Sequence, residues 1–303
     1  MDHGRMVEAD VPTDTGLHRH HASHQRSSDP AAIARRVRRL YLRLTAAPDL
    51  RPGPHVDPLL HRLVELVVTS PSEHAATVLA DPHVRALQPH LVSLCAQAEH
   101  ELELAWATQV AASHTPRATL RGFPYLDNYR QLSRLERAAL NRCTSRPPRG
   151  VLFVGSGPLP LSSLHLARLL DAPIDNLDRD ATAIRVARQV AHKLGARHLT
   201  FRHGTLAAQH DLARYDLVIL AALAGITLAD KSHNLRHLHS AMAPGALLLA
   251  RSAHGLKRLL YPAVDPARVH GFDVQSVTHP TGPVLNSILL ARKPEEEGVS
   301  RSR

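Results

Sequence analysis

Aromatic residues are scarce in this 303-residue chain, where Phe, Trp and Tyr together make up 3%. That is too few for the row of ring faces on which single-stranded nucleic acid stacks. Cysteine occurs twice, at Cys95 and Cys143, which excludes a disulfide scaffold and any four-cysteine zinc site. No stretch approaches the ~20 uninterrupted apolar residues of a membrane span, and the acidic, His-bearing start lacks the apolar core of a signal peptide. These absences predict a reduced, cytoplasmic protein with no membrane partner.

Acid is also in short supply, with 27 Asp and Glu against 37 Lys and Arg and a net charge of +10. The excess is almost all Arg and is scattered, the densest cluster being Arg35, Arg36, Arg38 and Arg39. Dispersed Arg is usually a solvated face, so nucleic acid is not the expected partner, and an anionic substrate remains an alternative source of the bias.

With 44% hydrophobic residues, the chain has enough apolar surface for one large α/β domain or two smaller ones. Residues 1–30 lack apolar periodicity and carry five His (His3, His18, His20, His21 and His24), so they read as a disordered, His-rich tail. Pro294–Arg303 reads as a second tail. From 31 to 146 the spacing is helical, with candidate helices near 32–46, 56–70, 73–81 and 84–113 separated by Pro and Gly. In the last of these, Leu87, Leu91, Leu94, Ala98, Leu102 and Ala105 form one stripe, widened by Cys95 and Trp106. At ~100° per residue Glu99 falls on the widened edge, while Glu103 is expected to point toward solvent.

After Arg146-Pro147-Pro148 the period changes, and short apolar runs alternate with helical stretches through residue 293. The runs are 151–154, 173–177, 198–202, 217–222 and 246–250, with helices near 160–170, 181–194 and 231–242. Alternating β and α segments build right-handed βαβ units and a doubly wound parallel sheet. Two final runs, 272–278 and 284–291, flank His279-Pro280-Thr281-Gly282-Pro283 and read as an antiparallel hairpin. That order predicts a class I methyltransferase-like, Rossmann-like α/β domain at 147–293, preceded by an all-α domain at 31–146.

The first strand runs into Gly155-Ser156-Gly157-Pro158 just before a helix. Glycine there lets backbone approach a ligand beside an electropositive helix end. The third glycine of the dinucleotide fingerprint is missing, which favours a nucleoside without phosphates, such as S-adenosylmethionine. The second strand ends at Asp178, spaced to accept both ribose hydroxyls, and Asp180 two residues on is placed to cap the next helix. Arg251 and His254 close the fifth strand. Arg251 is suited equally to a substrate carboxylate or a structural ion pair, and His254 to supporting its loop; no ligand set for a bound metal accompanies them.

Several of these segments, and others, resemble the nicotianamine synthase family. They are Gly155 to Leu161, Leu220 to Gly225, Met242 to Ala246, Arg251 to Gly255 and Tyr261 to Pro266, with His279-Pro280-Thr281, Asn286-Ser287 and, in the helical half, Phe123 to Tyr129. The likeness covers roughly residues 35–293. It implies small-molecule substrates and an S-adenosylmethionine-dependent enzyme that moves the 3-amino-3-carboxypropyl group instead of the methyl, joining three such groups and releasing methylthioadenosine. It also implies that Glu99 and Tyr125 are the catalytic pair, so that the helical domain closes over the cofactor cleft. The implied cofactor set is Gly155, Ser156, Gly157, Pro158, Asp178, Asp180, Thr205 and Ala221. Thr205, or a backbone carbonyl, stands in for the Asp that plant-like members place against adenine. Three alternatives stay open: a single transfer to another amine such as histidine, as in staphylopine-type synthases; an ordinary methyltransferase; and a basic nucleic-acid-binding protein with a cofactor-free fold.

Overall fold

The computed structural model describes residues 29–295. The His-rich start with His18, His20, His21 and His24, and the end from residue 296 onward, lie outside the described residues.

Among the described residues six α-helices come first: α1 (Pro30–Thr45), α2 (Asp57–Thr69), α3 (Ala75–Ala80), α4 (Pro82–Ala112), α5 (Pro116–Arg121) and α6 (Leu126–Cys143). Proline in the first turn of α1, α2, α4 and α5 fixes φ where a missing N–H costs nothing. The Asp81 carboxylate caps α4 by accepting from the His83 and Val84 amides. The spacing that predicted the first four helices places their ends within a few residues; α5 and α6 fall in a stretch read only as helical.

Strands and helices then alternate: β1 (Val151–Val154), α7 (Leu161–Leu170), β2 (Ile174–Asp178), α8 (Ala181–Leu194), β3 (Leu199–His203), β4 (Leu217–Leu220), α9 (Leu228–Ala241), β5 (Leu247–Ser252), β6 (Asp273–Thr278) and β7 (Ser287–Arg292). They form one seven-stranded sheet in the order β3-β2-β1-β4-β5-β7-β6. Strands β1 to β5 are parallel, and β7 runs antiparallel between β5 and β6, as the hairpin reading requires. Every residue of β1, β4 and β5 is buried, the pattern of strands covered on both faces. Edge strand β6 is largely exposed. Helix α9 starts three residues before its predicted beginning, because Thr227 and Asp230 form a capping box ahead of its apolar residues.

One helix ties the two halves together. At ~1.5 Å per residue α4 is about 46 Å long, too long for one partner. Its first half packs with α1 and α2 in a core that also takes in Leu256, Leu259, Tyr261 and Leu285. Its second half carries Ala107 and Val110 into a different core, with Val186 and Val190 of α8 and with Phe123. The buried face therefore rotates along the helix, and Glu103 is buried, at 9% relative exposure, instead of facing solvent as the single-stripe reading expected.

Candidate functional site

The sheet reverses its winding between β1 and β4, so the loops leaving these strands part and open a crevice at their carboxyl ends. A cleft of about 840 Å³ lies there. Its floor is the turn after β1, where Gly155 and Gly157 sit in the left-handed region, with φ of 81° and 65°. A Cβ on Gly155 would come within 3.0 Å of the Ala224 Cβ, and one on Gly157 within 2.6 Å of the Glu103 Oε2, so side chains are excluded by both strain and space. Asp178 ties the floor together: Oδ2 accepts from the Gly157 amide at 2.8 Å and Oδ1 from the Asp180 amide at 2.9 Å. Asp180 caps α8 through the Thr182 and Ala183 amides and meets the His100 Nε2 at 3.3 Å.

Of the residues predicted from sequence, Glu99, Gly155, Ser156, Gly157, Asp178, Asp180, Thr205, Ala221 and Arg251 all line this cleft. Pro158 is buried beneath the turn and His254 is exposed outside the cleft, its ring stacked on His279 at 3.9 Å. Tyr125 lines a smaller, largely apolar cavity of about 70 Å³ that shares Glu99, Glu103, Tyr129 and Tyr261 with the cleft. Arg251 takes the ion-pair alternative: Nε and Nη2 donate to the Glu136 carboxylate of α6 at 2.7 and 3.1 Å.

At the junction of the two cavities stands a pair of carboxyls from one face of α4. The Tyr261 hydroxyl donates to the Glu99 Oε2 at 2.7 Å; the Tyr129 hydroxyl lies 3.4 Å from the Glu99 Oε1 and 2.5 Å from the Glu103 Oε1. Tyr125 shares the cavity and makes no hydrogen bond to Glu99 among the described residues. Burial lifts the Glu99 carboxyl above the usual carboxylate range, against the hydrogen bonds from Tyr261 and Tyr129 and the charge of Arg251. Burial, and then the charge of Glu99, push Glu103 up to about 8. Burial also raises the phenols of Tyr129 and Tyr261 well above the usual value and that of Tyr125 to a lesser degree. A half-buried carboxyl with a raised pKa, beside an apolar chamber, is equipped to take a proton from a weak acid such as an ammonium group.

Sequence reading assigned no role to Glu103, Tyr129, Tyr261 or Lys231. The two tyrosines stood within recognised motifs, and Glu103 lies one helical turn beyond Glu99, the spacing that puts two residues on one face. Lys231 is buried with no carboxylate partner among the described residues, its amine donating to the Ala221 and Ala224 carbonyls at 3.1 and 3.0 Å. It thereby pins the loop that forms the cleft wall after β4, and burial brings its pKa down to about 7.

The cleft is acidic although the chain is basic. Carboxyls of Glu99, Glu103, Asp178, Asp180 and Asp230 line it, against the guanidinium groups of Arg179 and Arg251, one of which is already paired. Such a lining favours a cationic ligand with a polar, hydroxylated part over the glycine turn.

Comparison with known proteins gives a consistent result. Residues 25–297 match the family model described as nicotianamine synthase protein. The chain is 40% identical over 276 residues to nicotianamine synthase 1 of Oryza sativa subsp. indica, covering 88% of this chain and 82% of that protein. It is 35% identical over 267 residues to nicotianamine synthase 2 of Arabidopsis thaliana, covering 86% and 83%. Among solved structures it is similar to a glutamate-to-glutamine mutant of MtNAS in complex with S-adenosylmethionine, with 25% identity and a TM-score of 0.73 over 86% of this chain and 98% of that one.

Proposed function

The chain belongs to the nicotianamine synthase family, and from that premise we propose that it builds nicotianamine by transferring 3-amino-3-carboxypropyl groups from three S-adenosylmethionine molecules. The observation that carries the reading is Glu99, held between two tyrosine hydroxyls where the cleft over the glycine turn meets the apolar chamber. Bound there, S-adenosylmethionine supplies a sulfonium that activates its γ-carbon and leaves as methylthioadenosine. The turn at Gly155 to Gly157 and the Asp178 carboxylate fit its nucleoside, and the acidic lining fits its positive charge. Glu99 takes the proton from the attacking α-ammonium, and the apolar walls around it keep the free amine poorly hydrated and nucleophilic. Tyr125, on the chamber wall, borders the acceptor amine. The product carries three carboxylates and three amines, the donor set of a metal chelator.

Mass spectrometry of the purified protein incubated with S-adenosylmethionine alone, then with histidine added, tests this. Nicotianamine and methylthioadenosine are expected without an acceptor. Product that required histidine would move the chain to single-transfer chemistry, and S-adenosylhomocysteine would make it a methyltransferase.

The cofactor role of Asp178 has its own test. Asp178→Ala removes the ribose acceptor and frees the Gly157 and Asp180 amides, so affinity for S-adenosylmethionine should fall by ~10- to 100-fold in a calorimetric titration. Unchanged affinity would remove Asp178 from the binding site.

A further inference from the structure

Each transfer in the proposed reaction liberates one proton, because the acceptor enters as an ammonium and the donor leaves as a neutral thioether. Glu99 can hold one such proton and must lose it before it can act again. Substrates filling the cleft cover the side of Glu99 that faces water, and on its other side lie the apolar Ala98 and Leu102 and the Cys95 thiol, which burial pushes up to about 12 so that it keeps its proton. The Tyr261 hydroxyl donates to the Glu99 Oε2 at 2.7 Å but, among the described residues, leads on to no second carboxyl. The hydroxyl of Tyr129 is different. It bridges Glu99 and Glu103, at 3.4 Å from one carboxyl and 2.5 Å from the other. Glu103 spends Oε1 on this phenol, and its Oε2 reaches the glycine turn, closer to Gly157 than a Cβ would allow. Glu103 is thus one phenol away from the base and faces the pocket that empties when the nucleoside product departs.

Resting on the reaction proposed above, we propose that Glu103 is the proton store of the enzyme, receiving through the Tyr129 hydroxyl the proton that Glu99 takes from each acceptor amine. In one transfer, the amine nitrogen forms the bond to the γ-carbon, the γ-carbon–sulfur bond breaks with its electron pair going to sulfur, and the amine proton passes to the Glu99 carboxylate. Protonated Glu99 then donates to the Tyr129 oxygen as the Tyr129 proton moves to the Glu103 Oε1. Glu99 is again a carboxylate, and Glu103 releases its proton when methylthioadenosine leaves and water returns to the cleft.

The groups that face Glu103 fix the sign of its titration. Glu99 on the same helix and Asp178 at the end of β2 raise it, the Tyr129 hydroxyl of α6 and the Arg251 charge of β5 lower it, and burial is the largest effect. With a pKa of about 8 the free enzyme holds Glu103 protonated at neutral pH. A cationic sulfonium over the glycine turn favours the carboxylate, so donor binding empties the store before chemistry begins.

Two measurements on the full-length enzyme test the proposal. In calorimetric titrations at pH 7 of sinefungin, an S-adenosylmethionine analogue whose amine cation replaces the sulfonium and cannot be transferred, repeated in buffers of different ionisation enthalpy, wild type should release close to one proton, ~0.5–1, and Glu103→Gln essentially none. In rapid-quench experiments with excess S-adenosylmethionine, Glu103→Gln should form the first equivalent of methylthioadenosine at nearly the wild-type rate and then turn over ~10-fold more slowly or worse. Tyr129→Phe, which cuts the same link and also removes a hydrogen bond from Glu99, should show the same burst on the high-pH plateau, where Glu99 is ionised. A variant whose first and later turnovers slow equally, or whose steady state matches wild type, would overturn the proposal, as would proton release that survives in Glu103→Gln. Wild type that produced no methylthioadenosine at all would instead defeat the underlying reaction.

Discussion

Glu99→Gln should lower the turnover of S-adenosylmethionine to methylthioadenosine by ~100-fold or more while leaving the dissociation constant for S-adenosylmethionine within about threefold of wild type. The asymmetry follows from where Glu99 stands. Among the described residues its carboxyl is hydrogen-bonded to Tyr261 and Tyr129 and not to the glycine turn or Asp178, so an amide of the same shape leaves the nucleoside contacts in place. The amide keeps the chamber filled but has no basicity, and the attacking nitrogen stays an ammonium with no lone pair to offer. A loss of ~100-fold corresponds to about 2.7 kcal/mol of transition-state stabilisation, within the range of a positioned general base. Turnover within threefold of wild type would mean that another group removes the proton. The pH dependence carries a second sign. Activity needs Glu99 ionised, so its rate limb rises with pH through its pKa. The Tyr261 hydroxyl stabilises the ionised form at 2.7 Å. Tyr261→Phe removes that bond, disfavours the carboxylate, and should move the limb to higher pH; a limb that stayed in place would show that the contact does not tune the base.

How much of this site could be read in advance depended on whether a feature was local. The parallel strands were legible because burial on both faces turns them into uninterrupted apolar runs, and the glycine turn because φ of 81° and 65° leaves little choice of residue. Asp178 and Asp180 followed from their offset to that turn. Glu103 was misplaced because helical periodicity assumes one partner along the whole helix, whereas α4 leaves the core of the helical half near its middle and finishes against α8. Helix α6 escaped separate notice for a related reason: its buried face includes Ser133 and Glu136, which break the apolar stripe that marks a helix. Glu136 is buried because of Arg251, 115 residues away, and no local pattern contains that fact. The Tyr129 and Tyr261 contacts to α4 likewise join segments far apart in the chain, so the letters were visible in their motifs while their partner was not.

The Arg251–Glu136 pair is where that long-range burial should have its largest effect on stability. The side chains are 6% and 0% exposed, with N···O distances of 2.7 and 3.1 Å, and the guanidinium lies over the Phe153 ring at 5.2 Å. Both charges have left water, and each other's field and hydrogen bonds are the main offset to the desolvation. Glu136→Ala leaves a buried guanidinium without its hydrogen-bonded counter-charge, and should destabilise the fold by about 3–5 kcal/mol, a drop of roughly 6–15 °C in the unfolding midpoint. Replacing both groups, Glu136→Leu with Arg251→Met, removes the two charges together and should recover most of that loss, because an apolar pair of similar volume carries no desolvation cost. A double variant no more stable than Glu136→Ala would show that the pair contributes by shape instead of by charge. The same substitution separates stability from chemistry. Arg251 also lines the cleft, and its charge already favours the ionised form of Glu99. Without Glu136 that charge acts uncompensated, so the acid limb of activity in the surviving folded Glu136→Ala enzyme should move to lower pH, opposite to the shift expected for Tyr261→Phe. Both effects bear on one carboxyl, and their opposite signs come from opposite changes around it, a hydrogen bond removed in one case and a cation unmasked in the other.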